Sequence, residues 1–409
     1  MKYIVILGDG MADRPVDELD GRTVLEVAKK PNMDFIARNG RCGMVKTIPD
    51  GMTPGSDVAN MAVMGYNPEI HSTGRASIEA ISMGINLSEG DVCYRCNLVT
   101  LSQADTYEDS VMLDYSAGDI STPEAKVLIE TLTREFGIEL HAGISYRHTL
   151  VLRNAKGGAI HTPPHDIHGK SISKYLPDGH NAEFFTSLMK RSNEILKCHP
   201  VNMERLKREL RPANSIWFWG EGRRLGLPPF AGKYGISGSV ISAVDLVKGI
   251  GIAAGFESIN VEGSNGTLHT NYEAEAAAAL EALKTHDFVY LHIEAPDECS
   301  HQGDVKSKVL AIEYIDERII HPIMTELNRR NEDYSIMILP DHATPVELRT
   351  HTAEPVPFAY YRHMGSMAPN NQGTPLSGSA EKYTEKSTAL TGVYINEGYT
   401  LLDEFLERF

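Results

Sequence analysis

The chain reads as an α/β protein. Its core is a mostly parallel sheet with helices on both faces, discontinuous in sequence because an α+β domain is inserted into it. Three apolar strands predict that core. Tyr3–Leu7 runs into Gly8-Asp9-Gly10, Phe288–Glu294 into Ala295-Pro296-Asp297, and Tyr334–Leu339 into Pro340-Asp341-His342. Short unbroken apolar runs suit strands covered on both faces, as parallel strands are. Each run stops at a carboxylate, and open α/β sheets bind ligands beyond the carboxyl ends of their strands. Helical patterns between the runs supply the β–α alternation.

Thr23 to Asn39 reads as one amphipathic helix before Gly40. Tyr272 to Thr285 is rich in Ala and Glu, both strong helix formers, and leads into the second strand. Val305 to Asn331 places Val309, Ile312, Ile315 and Ile319 at helical spacing and leads into the third. From Cys93 to Leu227 the alternation is lost. There Thr122–Phe136 reads as a helix with Pro123 in its first turn, Tyr146–Leu152 as a strand, and Ala155–Lys170 as a polar loop. A helical stretch from Asn181 to Leu210 and an aromatic strand, Ile216–Trp219, follow. Residues 1–92 and 228–409 are therefore expected to form the discontinuous core, and residues 93–227 the insert.

Composition limits the function. With 409 residues, 42% hydrophobic and 23% charged, the chain is globular and long enough for two or three domains. The net charge of −16 argues against a nucleic-acid or membrane-surface binder. It leaves room for a small anionic substrate, because bound cations can invert the charge of one cleft. The odd, sparse set Cys42, Cys93, Cys96, Cys198 and Cys299 is no disulfide framework. Cys93-x-x-Cys96 has no second pair to complete a zinc site and reads as two thiols along a strand. The first apolar run is too short for a signal segment, and no stretch reaches the length of a membrane span. A cytoplasmic protein is expected.

Asp297 and His301 stand four apart, on one face of a helical turn, where both could hold one ion. Carboxylate with imidazole suits zinc or manganese. Asp341-His342 follows its strand directly, His351 lies nine residues on, and Asp9 ends the first strand between two glycines. One by one, a helix cap, a turn Asp and exposed histidines explain them. Together they stand beyond the ends of three strands of one sheet, with enough N and O donors for two divalent ions. Such a pair can clamp the attacking and leaving oxygens of an in-line phosphoryl displacement. In Thr53-Pro54-Gly55-Ser56-Asp57-Val58-Ala59-Asn60-Met61, Ser56 stands where an N-cap would. The same geometry suits a nucleophile, since a helix N-terminus welcomes phosphate and a bound cation would lower the hydroxyl pKa.

These segments resemble the alkaline phosphatase superfamily of two-metal phosphotransferases. Within it they are most similar to the archaeal-type branch of cofactor-independent (2,3-bisphosphoglycerate-independent) phosphoglycerate mutase. The strand-end and Ser56 motifs carry the resemblance, with Gly74-Arg75-Ala76-Ser77-Ile78-Glu79-Ala80, Lys233 to Asp245 and Glu294-Ala295-Pro296-Asp297-Glu298. It covers nearly the whole chain. The resemblance implies that Ser56 is phosphorylated during interconversion of 3- and 2-phosphoglycerate in glycolysis and gluconeogenesis. It implies one metal on Asp9, Ser56, Asp341 and His342, and another on Asp297, His301 and His351. Manganese is the typical ion, with zinc, magnesium or cobalt as alternatives, and no 2,3-bisphosphoglycerate is needed. The insert would clamp the glycerate end of the substrate.

A phosphoglycerate carries about three negative charges, so its site needs basic groups, Arg forks above all. The candidates are Arg95, Arg147 with His148, Lys170, Arg223, Arg224 and Lys233, with His165 and Asp166 as candidates for proton transfer. Each taken singly could be a solvated surface charge. The alternative function is a metal-dependent phosphatase, or a mutase of another phosphorylated metabolite, on the same core. A non-catalytic phospholigand sensor is a third reading, which the intact Ser56 disfavours.

Overall fold

Apolar runs that end in a carboxylate become neighbouring strands. The computed structural model describes residues 1–365 and 378–407, so 366–377 and 408–409 of the expected core lie outside the described residues. In chain order the strands are β1 (Lys2–Gly8), β2 (Arg41–Val45), β3 (Val92–Leu101), β4 (Met112–Asp114), β5 (Glu139–His141), β6 (Arg147–Leu152), β7 (Ala159–Ile160), β8 (Asp178–Gly179), β9 (Ser215–Arg223), β10 (Gly238–Ile241), β11 (Glu257–Ile259), β12 (Phe288–Ile293), β13 (Tyr334–Leu339), β14 (Val356–His363) and β15 (Tyr394–Ile395). The chain divides into two compact units, Met1–Ser72 with Gly226–Phe409, and Thr73–Leu225.

The first unit is an α/β layer structure. Its sheet has the order β11-β10-β12-β1-β13-β14-β2-β15, and only β14 runs against the rest. The three strands read from the sequence are the adjacent trio β12-β1-β13, with Leu7 level with both His292 and Leu339. Alternate residues serve opposite faces. Ile4 and Ile6, Val289, Leu291 and Ile293, and Ile336 and Ile338 join one core with Met33, Ile36, Ile312, Ile319 and Ile323 from the helices. Tyr290 and His292 therefore belong to the opposite face.

Two expected helices are interrupted. The expected helix from Thr23 to Asn39 is two pieces, Val24–Val27 and Pro31–Asn39. Pro31 has no N–H to donate and restricts the residue before it, so the helix restarts there with Pro31 in its first turn. The expected helix from Val305 to Asn331 runs as Val305–Tyr314, a wider π segment Ile315–Ile320, and His321–Arg329. Pro322 cannot donate to the preceding turn, and the wider turn lies just before it.

The second unit is antiparallel. β3 is flanked by β6 and β9, with β4 and β5 at the margins, and β7 pairs with β8 separately. Val92, Tyr94, Cys96 and Leu98 pack with residues of the helices Thr122–Phe136 and Ala182–Leu196. The expected stretch from Asn181 to Leu210 breaks at Pro200, which begins a separate helix, Pro200–Lys207. Cys93 faces the other way, against Ala76 and Ala80 of the helix Arg75–Ser82. That helix belongs to the second unit, about 20 residues ahead of the border expected at position 93, because its apolar face is spent on β3 and β6. Cys93 and Cys96 are free, buried thiols on opposite faces of one strand.

Candidate active site

The first unit gathers its chemistry beyond the ends of β12, β1 and β13. Asp9 follows β1. Asp297 and His301 lie on the helix Ala295–Gln302, one turn apart, and Asp341-His342 follow β13. Gly10 lets these loops approach. It sits at φ +59°, and a Cβ there would come within 2.5 Å of Asp297 Oδ1 and Thr344 Oγ1. Ser56 is the first residue of the helix Ser56–Val63, and Gly55 is its N-cap. The N-cap role expected for Ser56 is therefore not the one it plays. Its hydroxyl instead lies 3.2 Å from His342 Nε2. Ser56 and late residues of the chain thus meet.

The donors converge in two overlapping groups. Asp297 Oδ2 is 3.0 Å and Oδ1 is 3.6 Å from the Nε2 atoms of His301 and His351, respectively. Those two nitrogens are 3.1 Å apart. His342 Nε2 is 3.6 Å from Asp9 Oδ1 and 3.4 Å from Asp341 Oδ2. Three groups are compact enough for a metal ion: Asp297, His301 and His351; Asp9, His292 and Asp341; and Asp9, Asp297 and His342.

Hydrogen bonds behind the site aim these atoms. His301 Nδ1 donates to the Arg349 carbonyl at 2.9 Å, which turns Nε2 toward Asp297 and His351. Thr344 Oγ1 donates to Asp297 Oδ1 at 2.5 Å and accepts from His342 Nδ1 at 3.1 Å, so His342 presents a bare Nε2. Asp341 Oδ1 accepts from the Gly10 and His342 amides, and Asp341 Oδ2 from Asn60 Nδ2 at 2.9 Å. Asn60 also donates to the Ser56 carbonyl, and Tyr290 donates to Asn60 Oδ1 at 2.7 Å. One buried amide thereby couples the serine helix to a carboxylate.

Electrostatics fit a cation. Burial, followed by the charges of Asp341, Asp297 and Glu294, pushes Asp9 well above the usual carboxylate range. Burial would raise Asp297 as well, but hydrogen bonds from His301 and His351 outweigh it and hold that carboxyl well below the range. The bond to Asp297 lifts His301 to about 9, and burial lowers His342. Asp9 Oδ1 is buried and has no hydrogen-bond partner. Converging carboxylates, imidazole nitrogens facing one another and an orphaned oxygen are a donor set that divalent cations satisfy once the imidazoles give up their protons.

A family model described as 2,3-bisphosphoglycerate-independent phosphoglycerate mutase matches residues 37–202. A Methanosarcina barkeri protein of that name is 50% identical over 366 residues, covering 88% of this chain and 90% of its own. The chain belongs to the 2,3-bisphosphoglycerate-independent phosphoglycerate mutase family. A Geobacter sulfurreducens protein named as a probable member is 46% identical over 411 residues, covering 100% of both chains. Among solved structures, the PH0037 protein of Pyrococcus horikoshii has a TM-score of 0.81 at 28% identity, covering 100% of this chain and 98% of its own. The cofactor-independent phosphoglycerate mutase of Thermoplasma acidophilum shares the fold, at TM-score 0.65 and 24% identity over 100% of this chain and 99% of its own. Family membership makes the chain an isomerase.

The second unit gathers part of its expected basic set. Arg95 lies 3.9 Å above the Trp219 ring and 3.1 Å from Glu79. Burial holds its guanidinium below the usual value, and the nearby charges of Arg75 and Arg147 add to this against Glu79. Arg95 Nε is buried without a partner. His165 sits edge-on to Trp219 and Tyr115, and Arg147 lies 5.9 Å from the Tyr146 ring. His148 parts from its neighbour Arg147. It is 2% exposed, level with the buried Cys96, and pushed down to about 3 by burial. Lys170 is exposed and donates to the Asp166 carbonyl, while Asp166 itself stays beside His165. Arg223 and Arg224 are exposed, with Arg223 3.9 Å from Glu221. In the first unit, Lys233 donates to the Gly65 carbonyl just past the serine helix.

Sequence reading missed His292, Asn60, Tyr290 and Thr344. Asn60 was inside a motif already singled out. His292 had a signal too, as an imidazole in an otherwise apolar strand five residues before Asp297.

Proposed function

We propose that the chain interconverts 3- and 2-phosphoglycerate through a phosphorylated Ser56. The observation that carries this is the Ser56 hydroxyl at a helix N-terminus, 3.2 Å from His342 Nε2 and next to the converging carboxylates and imidazoles. Two divalent ions, manganese by our reading, would be held by Asp9, Ser56, Asp341 and His342 and by Asp297, His301 and His351. When bound, they would supply positive charge for the phosphoryl oxygens and a lowered pKa for the serine hydroxyl.

The chain's own residues do the rest. Ser56 Oγ attacks phosphorus in line, the bond from phosphorus to the glycerate 3-oxygen breaks, and the serine proton ends on that oxygen. The glycerate then presents its 2-hydroxyl to phosphoserine, and the reverse exchange regenerates Ser56. Nothing is consumed, so no bisphosphate co-substrate enters. The start of the helix Ser56–Val63, the positive end of its dipole, favours the phosphoryl oxygens throughout. Asn60 keeps the serine helix in register with Asp341.

The second unit is proposed to grip the anionic glycerate end, with Arg95 and Arg147 as its cationic groups and His165 beside them for proton transfer. Arg95 is held over the Trp219 ring, 3.9 Å from its centroid, and beside Glu79, which restricts its fork before any ligand arrives. Water is a competing acceptor for phosphoserine, so an enclosed substrate separates a mutase from a phosphatase. No helix among the described residues is long and apolar enough to cross a membrane. A charged phosphate ester stays in the compartment where it is made, and we place the enzyme in the cytoplasm.

The test is to incubate the protein with 3-phosphoglycerate, quench, and map phosphate to a residue. Label on Ser56, formation of 2-phosphoglycerate, and loss of activity by at least ~10³-fold in Ser56→Ala with unchanged folding are expected. Full activity in Ser56→Ala, or release of free phosphate alone, would overturn the mutase mechanism.

A further inference from the structure

We propose that His292 is a positioning residue that selects which oxygen of Asp9 faces the cation, through a hydrogen-bond chain crossing three neighbouring strands. It rests on the metal reading above. The strands β10, β12 and β1 are consecutive in the sheet, and each contributes one member at its carboxyl end. Ser242 follows β10, His292 lies in β12, and Asp9 follows β1.

Proton bookkeeping sets the direction of the chain. The Val244 amide donates to Ser242 Oγ at 2.9 Å. A carboxylate oxygen only accepts, so His292 Nε2 carries the ring proton and donates to Asp9 Oδ2 at 2.9 Å. That leaves Nδ1 of the neutral ring as an acceptor, and the Ser242 hydroxyl, 3.1 Å away, donates to it. The reverse tautomer would set an imidazole lone pair against a carboxylate oxygen. Asp9 Oδ2 is thereby occupied, and the buried, unpartnered Oδ1 is left toward His342 Nε2. The carboxylate cannot swing to offer both oxygens, so it is set as a single-oxygen donor before any ion arrives. The imidazole is 1% exposed, so water does not substitute for this chain.

The test uses the full chain stripped with a chelator, with Mn²⁺ titrated by calorimetry. His292→Leu, which fills space without donating, is expected to weaken Mn²⁺ binding about 10–100-fold. His292→Gln places an amide N–H near the Nε2 position and should stay within about threefold of the original. At saturating Mn²⁺ the KM for phosphoglycerate should be unchanged in both. Equal affinity of His292→Leu and the original chain overturns the proposal. So does a Gln variant as impaired as Leu, or outright loss of one bound ion in both, which would make His292 a ligand. Should His292→Leu fail to fold, Ser242→Ala decides. A several-fold weaker affinity supports the chain and no change overturns it. An original chain that binds no Mn²⁺ overturns the metal reading and this inference with it, whereas binding that ignores position 292 overturns only the latter.

Discussion

Lys308→Met removes a fully buried ammonium from between the loops that carry the candidate ligands. Lys308 Nζ donates to Asp13 Oδ2 at 2.8 Å, to the Thr344 carbonyl at 3.0 Å and to the Ala12 carbonyl at 3.3 Å. Asp13 lies four residues past Asp9, and Thr344 two past His342, so one side chain ties both loops together. Both partners of the ion pair are about 1% exposed or less. Methionine keeps most of the volume but leaves Asp13 with two weak contacts from the Val346 amide and a shorter one from Arg14. Breaking a buried pair on one side costs about 3–5 kcal/mol, because the remaining charge has no compensation. In a unit of this size each kcal/mol lowers the thermal midpoint by about 2–4 °C, so a fall of roughly 10 °C is expected. Thermal melting and urea unfolding, each with and without Mn²⁺, are the assays. Asp13→Asn combined with Lys308→Met should recover part of the loss, since the neutral amide needs no counter-charge. A single variant within about 1 kcal/mol of the original, or a double variant equal to the sum of the singles, would refute the reasoning.

Three further outcomes follow from the same structure. Gly10→Ala forces a side chain into a left-handed position and against Asp297 and Thr344. It should cost about 1–3 kcal/mol and weaken Mn²⁺ binding, read by urea unfolding and calorimetry. Arg95→Met should raise the KM for phosphoglycerate about 10–100-fold, the worth of a charged hydrogen bond, and Arg95→Lys should not restore it because the ring contact and the fork are both lost. Burial holds the Glu385 carboxyl above the usual range, against hydrogen bonds from Thr23 and Asp13. The folded chain therefore binds that proton more tightly than the unfolded one. Its contribution to stability is complete below about pH 4 and is lost as pH rises through the folded value. Glu385→Gln should flatten that decline, measured as urea midpoints between pH 4 and 7.

The parts of this fold that were legible share one property: they depend on neighbours in sequence. Continuous apolar runs marked β1, β12 and β13, and the carboxylate after each marked the active end of the sheet. Where local signals competed, reading failed locally. Proline 31 was absorbed into an amphipathic pattern that it divides, and Pro200 into a helix that it restarts. A border expected at position 93 leaves residues 75–82 in the core, yet the apolar face of the helix Arg75–Ser82 packs on the second unit's first strand. Ser56 was placed at a helix start, but whether its hydroxyl caps the helix or faces His342 depends on residues nearly 300 positions away.

The amino-acid sequence by itself determined the α/β class, the strand-end acids, the serine at a helix start and the family, because periodicity and motif order are written along the chain. Tertiary structure alone decided which oxygen and which nitrogen point inward. Those directions come from partners such as Thr344, Asn60, Arg349 and His292, brought by folding to within hydrogen-bond distance of side chains far from them in sequence. A hydrogen bond acts over about 3 Å, whatever the separation along the chain.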